Sequence, residues 1–134
     1  MINSFYRTKN SNLGTDNFFG LPFILSRKNT GAGDNKASTN TAKLYLKGKY
    51  KNVALTASGH ITSNSSTGVQ VTIAANNGTE TTELYVSKES GSKRETDYST
   101  TIPAGTEYIE ITVYHGPTGQ QMSYEVRLDS LTPS

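Results

Sequence analysis

Thr101–His115 reads T-I-P-A-G-T-E-Y-I-E-I-T-V-Y-H, and this stretch decides the fold class. Pro103-Ala104-Gly105 is turn material, because Pro presets one backbone angle and Gly accepts a positive one. From Tyr108 onward, apolar and polar residues alternate. In a strand of period two, Ile109, Ile111 and Val113 lie on one face and Tyr108, Glu110, Thr112 and Tyr114 on the other. The first face belongs in a core. The second is wet or in contact with something, and it carries two tyrosines and a carboxylate.

The same grammar recurs on both sides. Ala42–Lys47 alternates around Leu44 and Leu46. Val53–Thr62 turns Val53, Leu55, Ala57, Gly59 and Ile61 inward and Thr56, Ser58 and His60 outward. Val69–Ala75 sets Val69, Val71 and Ile73 against Gln70 and Thr72, and Thr81–Ser87 sets Leu84 and Val86 against Glu83 and Tyr85. Asn76-Asn77-Gly78-Thr79 between these two runs is a hairpin signal, since Asn-Gly tolerates positive φ. Ser123–Leu131 closes the chain with Tyr124, Val126 and Leu128 on one face. Ser63–Gly68 and Glu89–Thr96 read as loops. With roughly seven to nine short strands, turn signals about every 8–12 residues and no helical period, the pattern predicts an all-β antiparallel sandwich or barrel.

The amino-terminal third is less regular. Met1–Asn17 reads as a linker remnant plus a first edge strand, within one domain spanning residues 1–134. Phe18–Leu25 is the most apolar stretch; it reads chiefly as a buried strand interrupted by Pro22, with a docking surface for a partner chain as the other reading. Ser26–Thr41 reads as a long polar loop. Its Gly31-Ala32-Gly33-Asp34 resembles a piece of a phosphate loop, but it lacks the Gly-Lys-Ser/Thr ending and the surrounding βαβ pattern.

Composition narrows the function classes. The chain has 134 residues, no Cys, no Trp, eight Tyr against four Phe, and a net charge of +2. Without cysteine there is neither a disulfide framework nor a thiolate metal site. So small a positive charge gives no footprint for nucleic acid. No apolar run is long enough to span a membrane as a helix. No charged segment followed by an apolar one opens the chain, so a signal peptide is not expected, and the chain reads as intracellular when made or as a piece of a longer protein. His60 and His115 are the only histidines, so a zinc site would need carboxylates. No nucleophile-elbow motif is present, and Glu107/Glu110 and Glu80/Glu83 lie in ordinary surface strands. The chain is therefore expected to be non-catalytic. Lys88, Lys93 and Arg94 are balanced by Glu89 and Glu95, and Asn64 and Asn77 begin glycosylation sequons that matter only in a eukaryotic secretory setting.

Four stretches in order, Y-K-N-V-A-L-T-A-S-G-H-I, T-G-V-Q-V-T-I-A-A-N-N-G-T, T-T-I-P-A-G-T-E-Y-I-E-I-T-V and Y-E-V-R-L-D-S-L-T-P, resemble the jelly-roll carbohydrate-binding modules over about residues 49–133. Such modules occur on glycoside hydrolases and on phage tail, baseplate and Gram-positive surface proteins, where they serve host recognition. The resemblance implies a jelly-roll sandwich that binds polysaccharide or cell-surface glycan without cleaving it. It implies an extracellular or virion-associated setting, beside other domains of a parent protein and open to homo-oligomerisation. With Trp absent, tyrosine would do the stacking. It also implies a structural calcium, with Asp129 in the closing strand as one ligand and Asp16 as its amino-terminal counterpart.

Sugars offer C–H patches to aromatic rings and hydroxyls to amides, carboxylates and guanidinium. The outward set supplies these groups: His60, Gln70, Thr72, Tyr85, Glu110, Thr112, Tyr114 and Arg127. Tyr114 and Tyr85 are the expected stacking platforms, and Gln70, Glu110 and Arg127 the expected hydrogen-bonding groups. The plainer reading makes each a residue on a solvated sheet. The competing function is an assembly domain of a tail or surface protein that docks through Phe18, Phe19, Leu21 and Phe23.

Overall fold

The computed structural model describes residues 6–10, 15–19, 22–29, 37–46, 52–117 and 122–134, with backbone alone for 6–10, 15–19, 28, 29 and 66. Among them are eight strands and no helix: β1 (Tyr6–Asn10), β2 (Thr15–Phe19), β3 (Phe23–Asn29), β4 (Ser38–Leu46), β5 (Leu55–Asn76), β6 (Thr81–Ile102), β7 (Tyr108–His115) and β8 (Met122–Pro133). Every pairing is antiparallel.

β5 is the spine. Its second half, from Val69 to Asn76, pairs with β7 on one side and the first half of β6 on the other. Its first half, from Leu55 to Asn64, pairs with β8 and the second half of β6. The β5–β6 hairpin thus runs through two layers. The front sheet is ordered β2-β1-β4-β7-β5-β6 and the back sheet β3-β8-β5-β6. Strands that are not hydrogen-bonded touch across the interior. Asn40 Nδ2 of β4 donates to Tyr124 Oη of β8 at 3.1 Å, and Arg27 Nη1 of β3 lies 2.8 Å from His115 Nε2 of β7. Since guanidinium can only donate, Nε2 accepts, and the ring proton on Nδ1 donates to the Gly116 carbonyl at 2.9 Å. The two layers form an antiparallel β-sandwich of jelly-roll type.

Most of the predicted inward residues form the core; Leu46 is only partly buried, and Val53, which precedes the first residue of β5 and so has no strand to turn it inward, is 37% exposed. Ile109, Ile111 and Val113 are buried from the front, with Ala42, Leu44, Val69, Val71 and Ile73. Leu55, Ala57, Ile61, Tyr124, Val126 and Leu128 meet them from the back. At the turn before β7, Gly105 has φ +89° and Thr106 Oγ1 donates to the Pro103 carbonyl at 2.7 Å, which lets a threonine be buried. The Asn-Gly hairpin forms as expected. Asn77 Oδ1 accepts from the Thr79 and Glu80 amides at 3.0 and 2.9 Å, while Gly78 N donates to Asn76 Oδ1 at 2.7 Å.

Three features differ from the sequence pattern, and each has a physical reason. First, Ser63–Gly68 and Glu89–Thr96 are strand, not loop. Register shifts at Ser63/Ser65 and Ser65/Val69, with Gly68 at φ +88° and Gly91 at φ +114°, bend the hairpin between layers while its pairing continues. Second, Ile73 pairs with Tyr85 but Ala74 with Glu83, so Leu84 is an extra residue. This bulge reverses the alternation: Tyr85 packs against the core and Val86 is exposed. Third, Gly59 pairs with Leu128 but Ser58 with Ser130, so Asp129 is a bulge and both Leu128 and Leu131 face inward.

The amino-terminal edge strand is a hairpin, β1–β2, flanking β4. Within Phe18–Leu25, Phe23 and Leu25 are buried, which agrees with the core reading for that half; Leu21 and the side chains of Phe18 and Phe19 lie outside the described residues. Of Ser26–Thr41, read as a loop, residues 26–29 belong to β3 and residues 38–41 to β4, because both ends pair with neighbouring strands. Gly31–Asp34 lies outside the described residues.

Candidate functional site

The outer face of the front sheet is a grid set by strand register. Residues directly opposite one another in an antiparallel pair project from the same face. One row reads Thr39, Tyr114, Gln70, Lys88 across β4, β7, β5 and β6. The next reads Thr41, Thr112, Thr72, Val86, then Lys43, Glu110, Ala74, Glu83, then Tyr45, Tyr108, Asn76, Thr81. Tyr114, Gln70, Thr112, Thr72 and Glu110 are thereby brought together: alternation turns each outward, and register sets them side by side.

Their environments are unequal. Tyr114 is 46% exposed and stands beside Gln70. Thr41 Oγ1 donates to Thr112 Oγ1 at 3.4 Å. Glu110 is engaged: Lys43 Nζ lies 3.8 Å from its Oε2 and 5.1 Å from the centre of the Tyr108 ring. Tyr108 in turn packs on Tyr45 with ring centres 5.0 Å apart. One end of the face thus presents an open aromatic ring among amide and hydroxyl groups, and the other is closed by an ion pair and a tyrosine pair.

The other candidates lie elsewhere. Tyr85 is turned inward by the Leu84 bulge, its ring 5.4 Å from Tyr98, so it does not share a face with Tyr114. His60 and Arg127 are on the outer face of the back sheet, in one row with Ile24 and Asp97. His60 Nδ1 is 2.6 Å from Asp97 Oδ1 and its Nε2 3.5 Å from Glu95 Oε1. Arg127 holds Asp129 through Nε at 3.1 Å and Nη2 at 3.3 Å, with Glu125 at 3.8 Å. The jelly roll therefore splits the predicted set between two surfaces.

The hydrogen bond from His60 to Asp97 holds its imidazolium, raising the pKa above 6.5; Glu95 adds to this, while desolvation and Arg127 oppose it. A raised pKa stabilises the fold fully below the unfolded value, and the gain is lost as pH rises through the folded value. The melting temperature of the wild type should exceed that of His60→Gln just below pH 6.5, and the gap should close toward pH 8. A gap that widens with pH would contradict the assigned contacts.

Asp129, expected as a calcium ligand, is committed to Arg127, and among the described residues no group of three His, Asp or Glu could hold a metal ion. Asp16 lies on β2, where the side chain is outside the description.

Sequence reasoning missed Thr39, Thr41 and Val86. Thr39 and Thr41 alternate with buried Asn40 and Ala42, but a polar residue in the inward position hid the period. Val86 was concealed by the bulge. Lys43 and Tyr45 were visible in the Ala42–Lys47 alternation; their partners Glu110 and Tyr108 come from register, which one strand's sequence does not carry.

No protein-family model matches this sequence, and no curated protein is similar to it. Solved structures are. The K1 cleaved adhesin domain of Lys-gingipain from Porphyromonas gingivalis W83 aligns with TM-score 0.52 at 13% identity, over 96% of this chain and 83% of that one. A family 29 carbohydrate-binding module from Piromyces equi aligns with TM-score 0.46 at 16% identity, over 98% and 89%. A CBM4 structure aligns with TM-score 0.47 at 14% identity, over 83% and 71%. The first of these likenesses shows a shared fold. None of them bears on a ligand.

Proposed function

We propose that this chain is a non-catalytic glycan-binding module of a larger extracellular or virion protein, recognising cell-surface or wall polysaccharide through the outer face of its front sheet. The observation that carries the reading is Tyr114, an exposed ring flanked in register by Gln70 and set beside Thr112, Thr72 and Thr39. A ring face takes a sugar's C–H patch while amide and hydroxyl groups exchange hydrogen bonds with its hydroxyls. The strand-and-turn resemblance to jelly-roll carbohydrate-binding modules supports it. Glu110, already paired with Lys43, and Tyr85, turned inward, are left out of the contact set. A single shallow face binds weakly, so affinity in use would come from several copies.

The test is a glycan array that includes bacterial wall polysaccharides, probed with the multimerised domain in calcium-containing buffer. Specific spots support the reading. A blank array from folded protein overturns it and favours an assembly domain working through protein contacts. The same preparation tests the calcium implied by the sequence resemblance. If Asp129 anchors an ion, EDTA lowers the melting temperature; if it serves only Arg127, EDTA leaves it unchanged, and the bidentate contact favours this second result.

A further inference from the structure

The bend of the β5–β6 hairpin buries a carboxylate that no cation of the described residues neutralises. Glu89 is 3% exposed, and its Oε1 has no hydrogen-bond partner among the described residues. Ser63 Oγ is buried and unpartnered in the same way. Burying a charge is costly unless it is paired, and an orphaned buried group calls for a water or an ion. Arg94, on the same strand, is exposed, and its Cγ and Cδ lie beside Gly91.

The bend gathers oxygen atoms. Val69 pairs with Glu89 and Ser65 with Gly91, so residues 66–68 of β5 stand opposite Ser90 alone. They also fall between the stretch paired with β8, which ends at Asn64, and the stretch paired with β7, which begins at Val69. The backbone carbonyls of this bulge are therefore outside the strand ladders. Ser63 and Ser65 are buried on either side of exposed Asn64 and face the interior, as Glu89 does. The hairpin bends around that interior from one layer to the other, so the three side chains share the concave side of the bend. Carboxylate, hydroxyl and carbonyl oxygens are donors for hard cations. One carboxylate balances one positive charge, and among the described residues no group of three His, Asp or Glu stands ready for a divalent ion. So buried a position admits only a small ion. We propose that the bend binds a monovalent metal cation, sodium or potassium, through the Glu89 carboxylate, the Ser63 and Ser65 hydroxyls and carbonyls of the 66–68 bulge. The ion ties the two layers together where the hairpin crosses between them, and its site is independent of the glycan reading.

The experiment is thermal unfolding of the domain in sodium, potassium or tetramethylammonium chloride at one ionic strength of about 200 mM, which holds screening constant. Wild type should melt about 3 °C or more higher in one of the alkali salts than in tetramethylammonium chloride, because an ion that binds only the folded state stabilises it by mass action. Glu89→Gln, which keeps the shape and removes the charge, should bring that difference below about 1 °C, and Ser63→Ala should reduce it by about half or more. Titrating the better alkali ion into labelled protein in tetramethylammonium chloride should shift the amides of residues 63–68 and 89–91 and leave those around Tyr114 in place. Equal melting in all the salts with no amide shifts at the bend overturns the inference, and means that a water or a neutral carboxyl satisfies the site. A salt difference that survives in Glu89→Gln overturns it as well, since the ion then binds elsewhere. Stabilisation by about 1 mM calcium with none from the alkali salts overturns the monovalent assignment.

Discussion

Gly59→Ala should destabilise the domain by roughly 1–3 kcal/mol. Gly59 is buried in the first half of β5, where a Cβ would collide with the backbone carbonyl of Arg127 and lie 2.6 Å from Tyr98 Oη. That hydroxyl donates to the same carbonyl at 2.7 Å. The methyl therefore forces β5 away from β8 or expels the tyrosine hydroxyl. The first costs about 1–3 kcal/mol as overpacking, and the second leaves a buried polar group unpaired at about 1–3 kcal/mol. Burial pushes the Tyr98 phenol's pKa up, so the group stays a neutral donor through the physiological range. Chemical denaturation reads the effect directly. Tyr98→Phe alone removes the donor without the clash and should cost less, about 1 kcal/mol. If Gly59→Ala were within about 0.5 kcal/mol of wild type, the close approach of β5 to β8 would be wrong.

Tyr114→Ala should abolish or severely weaken glycan binding while leaving the fold intact. The ring is exposed and lies outside the buried core, so the unfolding free energy should stay within about 0.5 kcal/mol of wild type. Loss of a stacked ring is on the order of 2 kcal/mol, about thirtyfold in Kd. Tyr114→Phe should retain most of the affinity, because stacking needs the ring and not the hydroxyl. A binding loss accompanied by an equal loss of stability would point to folding instead of recognition. Unchanged binding in Tyr114→Ala would remove the front face from consideration.

Much of the fold was legible because its determinants are local. Alternation at Ile109, Ile111 and Val113, and at Val69, Val71 and Ile73, is enforced by a period-two backbone with one dry face, and these residues are buried as that period requires. Asn77-Gly78 reported a turn through its own side-chain hydrogen bonds. The bends and bulges were not legible. Ser63–Gly68 and Glu89–Thr96 are polar and Gly-bearing, the composition of a loop, yet each half supplies the other's pairing partners across the hairpin. At Leu84 and Asp129 one extra residue reverses the alternation, and nothing in the local sequence separates a bulge from a continuous strand.

The site was half legible for the same reason. That Tyr114, Gln70, Thr112 and Glu110 face outward follows from neighbours one residue away. That Tyr114, Gln70, Thr112 and Glu110 share the front face while His60 and Arg127 share the back depends on which half of β5 pairs with β7 and which with β8. That is a property of topology. The Lys43–Glu110 pair, which takes a predicted hydrogen-bonding carboxylate out of use, joins residues far apart in the chain through β4–β7 register.

The most direct test of recognition on the front face is a backbone-amide NMR titration of the labelled domain with the best ligand from the array. The account predicts shifts that cluster at Thr39, Thr41, Gln70, Thr72, Thr112, Tyr114 and Val86. A cluster around His60, Asp97 and Arg127 on the back sheet, with the front face silent, would contradict it.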